Sequence, residues 1–173
     1  MGVQDRRARE KQHLRERILD AARDILVSQG HEGLSMRKVA TRIEYSPTAI
    51  YLHFKDKQAL ITELCEETFA RLVADMETLP QESKDPLVCL RRGLERYVEF
   101  GLRFPQHYLA TFVIPNGVAN DETTRRKMQD PASNGMRALG ILRQIALCQR
   151  RHHAARTGIR NLQSDVLTDL QHL

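Results

Sequence analysis

Residues 35–57 read Ser35-Met-Arg-Lys-Val-Ala-Thr-Arg-Ile-Glu-Tyr-Ser-Pro-Thr-Ala-Ile-Tyr-Leu-His-Phe-Lys-Asp-Lys57. The pattern predicts two short helices, a tight turn between them and the start of a third. Ser35 is a natural N-cap, because its hydroxyl can accept from the free amides of a first helical turn. Val39, Ala40 and Ile43 then share one helical face. Glu44-Tyr45 makes the turn. Ser46 caps the second helix, with Pro47 at its first position, where the missing N–H has no intrahelical partner to lose. Ala49, Ile50 and Phe54 face inward, and Thr48, Tyr51, Leu52 and His53 are left on other faces. Asp56 caps the third helix, which opens with Lys57.

Two short helices with small residues at the contact and polar groups on the second match a helix-turn-helix. The second helix is short and polar outside, and its exposed N-terminus carries hydroxyls where phosphates are attracted. Spacing alone also fits an ordinary helical hairpin with a solvated face.

A longer match bears on that choice. From about Arg15 to Leu72 the chain resembles the N-terminal domain of the TetR/AcrR family of bacterial transcriptional regulators. The residues that carry the resemblance are Arg17-Ile18-Leu19-Asp20-Ala21-Ala22, Gly30, Gly33, Ser35 to Ala40, Ser46 to Phe54 and Lys55 to Leu60. Thr48 stands where many members have Gly, so base preference does not carry over. The resemblance implies an all-α protein: a three-helix helix-turn-helix DNA-binding head (residues 1–56) joined by a long helix to a helical ligand-binding and dimerisation body (57–173). It further implies a repressor that binds double-stranded operator DNA as a homodimer and responds to an unidentified small-molecule effector. The DNA-binding candidates are Ser35, Arg37 and Lys38 around the first helix, Ser46, Pro47, Thr48, Ala49, Tyr51 and His53 around the second, and Lys57. Tyr51, His53 and Lys57 are expected at the DNA backbone. Arg37, Pro47 and Thr48 are the candidates for base contact, since phosphate contacts position and base contacts specify. Tyr51 has a second reading, its ring packed against the first helix with only the hydroxyl outside.

Charge distribution agrees with a DNA-binding head. Residues 1–60 carry 12 Lys and Arg against 8 Asp and Glu, whereas residues 61–130 carry 9 against 12. A basic unit beside an acidic one suits a head on a body that does not touch DNA. No run of eighteen apolar residues suggests a membrane span, and the start, Met-Gly-Val-Gln-Asp-Arg-Arg, lacks a signal peptide's apolar core. Cys65, Cys89 and Cys148 have no metal-ligand spacing and read as reduced thiols of a cytoplasmic protein. No metal or cofactor is expected, and no phosphate loop or nucleophile elbow points to an enzyme.

The arginine-rich residues 1–13 are expected to fray, as an arm touching DNA or as a solvated tail. Leu14, Ile18, Ala21, Ala22, Ile25 and Leu26 predict an amphipathic helix stopped at Gln29-Gly30. A long helix runs from Lys57 to about Glu77, and 79–84 reads as a linker. Asp85-Pro86 opens a helix whose apolar face is Leu87, Leu90, Leu94, Tyr97, Val98 and Leu102. A short helix from His107 to Ile114 follows, then a loop at 116–122 and one or two helical turns at 123–129. Tyr97, Phe100, Phe104, His107, Tyr108 and Phe112 gather most of the aromatic residues of the chain. They read either as the lining of an effector pocket or as core, which such stripes more often are. A helix from about Ser133 to Arg151 is followed by a basic stretch and a short final helix at 159–173. Family members generally end in two longer helices that pair across a two-fold axis. This chain has room for one, so the expected dimer surface is reduced and rearranged, or the end is a variant one. His152-His153 reads as a solvated basic turn rather than a metal site. The competing functional reading is a helical small-molecule-binding or interaction protein without operator binding.

Overall fold

The computed structural model of the protein describes residues 2–113, 126 and 129–157, the last twelve of these as backbone only. The described residues contain helices and no strand. The helices are α1 (Val3–Gly33), α2 (Met36–Arg42), α3 (Pro47–Tyr51), α4 (Lys57–Met76), α5 (Leu79–Glu82), α6 (Pro86–Arg103), α7 (Pro105–Tyr108) and α8 (Asn134–Thr157). A π-helical turn, Leu109–Val113, continues α7.

Helix α1 starts at Val3, eleven residues before Leu14 and within the stretch expected to fray. Its first turns are polar on every side and are held by pairs one turn apart: Arg6 with Glu10 at 3.5 Å and Gln12 donating to Glu16 at 2.9 Å. Such i,i+4 pairs support a helix that has nothing to pack against. The regular helix breaks at Gly30, where φ is 71° and ψ −176°. That region is essentially restricted to glycine. One more turn leads to Leu34.

Ile18, Ala22, Ile25 and Leu26 of α1 pack with Val39 and Ala40 of α2, Ile50 of α3 and Leu60, Ile61 and Leu64 of α4. This first core therefore reaches well into the long helix. A second core gathers Leu72 and Met76 of α4, Leu79, Cys89, Phe100 and Ile145, and Phe69 packs against both cores. Helix α4 is thus one rigid rod shared between the two.

Two sequence expectations change in the second core. The 79–84 linker is instead a helical turn anchored by fully buried Leu79, followed by Asp85 capping α6 through Leu87 N–H at 2.9 Å. The apolar face expected to bury α6 points outward: Leu87, Leu94, Val98 and Leu102 are 59–79% exposed and Leu90 is 39% exposed. Helix α6 instead buries Pro86, Cys89, Gly93 and Phe100. Gly93 faces α5, where a Cβ would lie 3.4 Å from Leu79 Cδ1. Ion pairs accompany this rotation. Glu82 receives Arg92 at 3.1 Å and Arg96 at 2.6 Å, and Arg96 also donates to the Asp75 carbonyl at 2.8 Å.

The 116–122 loop, most of the 123–129 turns, the final helix at 159–173 and the side chains of Cys148, His152 and His153 lie outside the described residues.

Candidate nucleic-acid interface

The turn between α2 and α3 is set by main-chain bonds. Glu44 takes φ 60°, its N–H donates to Thr41 O at 3.2 Å, and Tyr45 N–H donates to Ala40 O at 3.0 Å. This is a Schellman motif with a glutamate where glycine is usual. It swings the chain directly into α3. Ser46 Oγ accepts from Ala49 N–H at 3.2 Å, as its spacing predicts, and Ile50, wholly buried, anchors the helix. Ser46, Pro47 and Thr48 are left exposed at the tip, Ala49 is half-buried, and Tyr51 is 53% exposed. The Tyr51 ring is therefore largely in solvent rather than packed away.

On α2, the Ser35 hydroxyl accepts from Lys38 N–H at 3.3 Å. The Lys38 ammonium donates to Gln29 Oε1 at 2.9 Å, tying α2 to the end of α1. Arg37 is exposed and its side chain has no partner among the described residues. Lys57 is half-buried and donates to the His31 carbonyl at 2.7 Å, so its ammonium closes the last turn of α1. Asp56 accepts from Ala59 N–H at 2.7 Å and starts α4. His53 sits half-buried beyond α3. Burial first, then the charges of Lys11 and Arg15, hold its imidazole below the usual range.

Arg15, Arg17 and Tyr45 brace this end of the head, a role that spacing alone does not disclose. Arg15 pairs with Glu63 at 2.8 Å and lies 4.5 Å from the centre of the Phe54 ring. Arg17 donates to Ile43 O at 3.0 Å and lies 5.3 Å from the centre of the Tyr45 ring.

The six aromatic candidates of the body pack on one another. Tyr97, Tyr108 and Phe112 meet with centroids 5.3–5.9 Å apart, and Phe104 lies 5.4 Å from Phe100 and 5.8 Å from His107. The Tyr97 and Tyr108 hydroxyls are 3.5 Å apart. Burial, then Tyr108, pushes the Tyr97 phenol up to about 12. An open cleft of about 280 Å³ beside them is lined by Asp75, Thr78, Arg96, Glu99 and Arg103, and of the six rings only Phe100 reaches it. No group of three or more metal-ligating side chains occurs among the described residues, and no described helix is long and apolar enough to cross a membrane.

A three-helix unit with its own core that presents a short, hydroxyl-capped helix at its surface has the geometry of a helix-turn-helix. The family pattern described as bacterial regulatory proteins, tetR family, matches residues 18–64. The tetracycline repressor protein class D of Escherichia coli is 34% identical over 88 residues, which are 48% of this chain and 40% of that protein. Among solved structures, a TetR family transcription regulator from Marinobacter aquaeolei VT8 superposes with a TM-score of 0.65 at 18% identity, over 84% of this chain and 72% of that one. A SmeT–triclosan complex superposes at 0.61 and 20%, over 79% and 66%. Residues 18–64 are thus similar to the amino-terminal domain of the TetR family. The chain spans about half the length of the curated relatives it matches.

Proposed function

We propose that this chain is a sequence-specific DNA-binding transcriptional regulator. It acts as a repressor whose homodimer binds a pseudo-palindromic operator and releases it when a small molecule occupies the body. The observation that carries the reading is the tip of α3. Ser46, Pro47 and Thr48 stand exposed on a helix whose buried side is fixed by Ile50. Ser35, Arg37, Lys38, Ala49, Tyr51, His53 and Lys57 lie around it as backbone and groove contacts. The head is residues 1–56, braced by the first half of α4, and the body is residues 57–173. The protein works in the cytoplasm and is not an enzyme.

The effector reading rests on the SmeT–triclosan complex, in which a protein of the same fold is named with a small molecule. Here Tyr97, Phe100, Phe104, His107, Tyr108 and Phe112 are the surface the effector engages by parting their edge contacts. The homodimer reading is supported by the exposed stripe on α6, because single-subunit proteins rarely leave a contiguous apolar patch of that size uncovered.

The test is selection of duplexes from a random pool by the full chain, followed by titration of the selected duplex. Enrichment of an inverted repeat supports the reading. An unenriched pool overturns it.

A further inference from the structure

The first three turns of α1 stand outside both cores, yet they do not stand alone. A cleft between them and the end of α3 is bordered by Arg7, Glu10 and Lys11 on one side and by Tyr45, Leu52 and His53 on the other. Arg7 and Lys11 are four residues apart and so share one face of the helix. Glu10, the carboxylate at the cleft, is paired with Arg6. Arg15 and Arg17 are already engaged with Glu63 and the Ile43 carbonyl. Arg7 and Lys11 are exposed, and no carboxylate pairs with either among the described residues. Lys11 and His53 border the same cleft. Two cations without a carboxylate partner, on one helix face and across a cleft from the end of α3, present positive charge beside the recognition helix.

We propose that Arg7 and Lys11 form a phosphate-binding site for the DNA backbone beside the groove entered by α3. The site extends the footprint of the head beyond the helix-turn-helix. It adds affinity without adding sequence preference, and it rests on the operator-binding reading above.

The experiment compares full-length wild type, Arg7→Gln/Lys11→Gln and Arg9→Gln. Fluorescence anisotropy follows each on a duplex selected by the wild type and on a scrambled duplex of the same composition, across a salt series. Each phosphate contact contributes about 0.9 to the slope of log K against log salt, so the double variant is expected to lose about 1.8 in slope for each bound head, or about 3.6 for the homodimer. Its affinity falls by the same factor on both duplexes, because phosphate contacts carry no sequence information. Arg9→Gln, on the opposite side of the same helix, keeps the wild-type slope. An unchanged slope in the double variant, an equal loss in Arg9→Gln or a change in the ratio between the duplexes overturns the site while leaving operator binding intact. Wild type that binds neither duplex overturns the operator reading, and the site with it.

Discussion

Glu67 joins the two cores, and replacing it with glutamine tests how firmly they are joined. Its carboxylate receives Arg23 of α1 at 2.5 Å and Arg71 at 3.0 Å, and His107 of α7 approaches to 3.7 Å. Arg23 is 5% exposed, and its other partner, Asp20, has a side chain 74% exposed. His107, Arg71 and Arg23 together lower the Glu67 carboxyl from 4.5 to about 2, against the opposing effect of partial burial. At about 1.4 kcal/mol per pH unit the shift corresponds to roughly 3.4 kcal/mol. The Glu67 side chain is 29% exposed, so solvent screening reduces that to about 2 kcal/mol. Glu67→Gln keeps the shape and removes the charge, leaving Arg23 with a solvated partner. Urea unfolding at pH 7 is expected to show a loss of about 2 kcal/mol, or roughly 4–8 °C in Tm for a chain of this size. The sign with pH follows from a depressed carboxyl. Its contribution is complete above the unfolded value of 4.5 and is lost as pH falls from there to about 2. Wild type and variant should therefore differ by a constant amount from pH 7 to pH 5.5 and converge between pH 4.5 and pH 2. A difference below about 0.5 kcal/mol at pH 7, the range of an ordinary surface change, or a gap that does not close with acid, would refute the network as a joint.

Four further outcomes follow from local geometry. Gly30→Ala forces a side chain into φ 71°, ψ −176° and should cost about 1–3 kcal/mol by chemical unfolding; Glu44→Gly relieves the left-handed strain of about 1–2 kcal/mol against an entropic cost of about 0.5–1 kcal/mol, and so should leave stability unchanged or raise it by up to about 1.5 kcal/mol. Ser46→Ala removes the cap that accepts from Ala49 N–H and should lower stability by about 1 kcal/mol together with operator affinity, whereas Ser46→Asn should restore most of the stability. Burial raises the Cys65 thiol to about 11, so in a Cys89→Ser/Cys148→Ser background a disulfide reagent at pH 8 should label it only after denaturant is added. Rapid labelling of the native protein would contradict the packing of the first core.

The head was legible because its signals are local. Ser35, Ser46 and Asp56 each make the cap bond that their position implies, and Gly30 breaks the helix where a glycine is needed. Residues 3–13 were misjudged because a polar segment without an apolar stripe reads as a tail, while the pairs Arg6–Glu10 and Gln12–Glu16 favour a helix. The rotation of α6 was not legible at all. Its strongest apolar stripe faces solvent while Pro86, Cys89, Gly93 and Phe100 face inward, a choice set by packing against the turn at Leu79–Glu82 and α4 rather than by α6 itself. Lys57 shows the same limit within the candidate site. The resemblance implies its ammonium at the DNA backbone, and only the fold reveals its bond to the His31 carbonyl of α1. The aromatic residues could be recognised as a group from their clustering, but their mutual edge contacts depend on how α6 meets α7.

The central claim is that the exposed tip of α3 reads DNA sequence. Its most direct test is the affinity of the full chain, at one fixed salt concentration near physiological, for a duplex it has selected from a random pool and for a scrambled duplex of the same composition. The account predicts an inverted-repeat sequence bound at least about a thousandfold more tightly than the scrambled one. Equal affinity for the two would show a basic surface without readout, and would contradict the account.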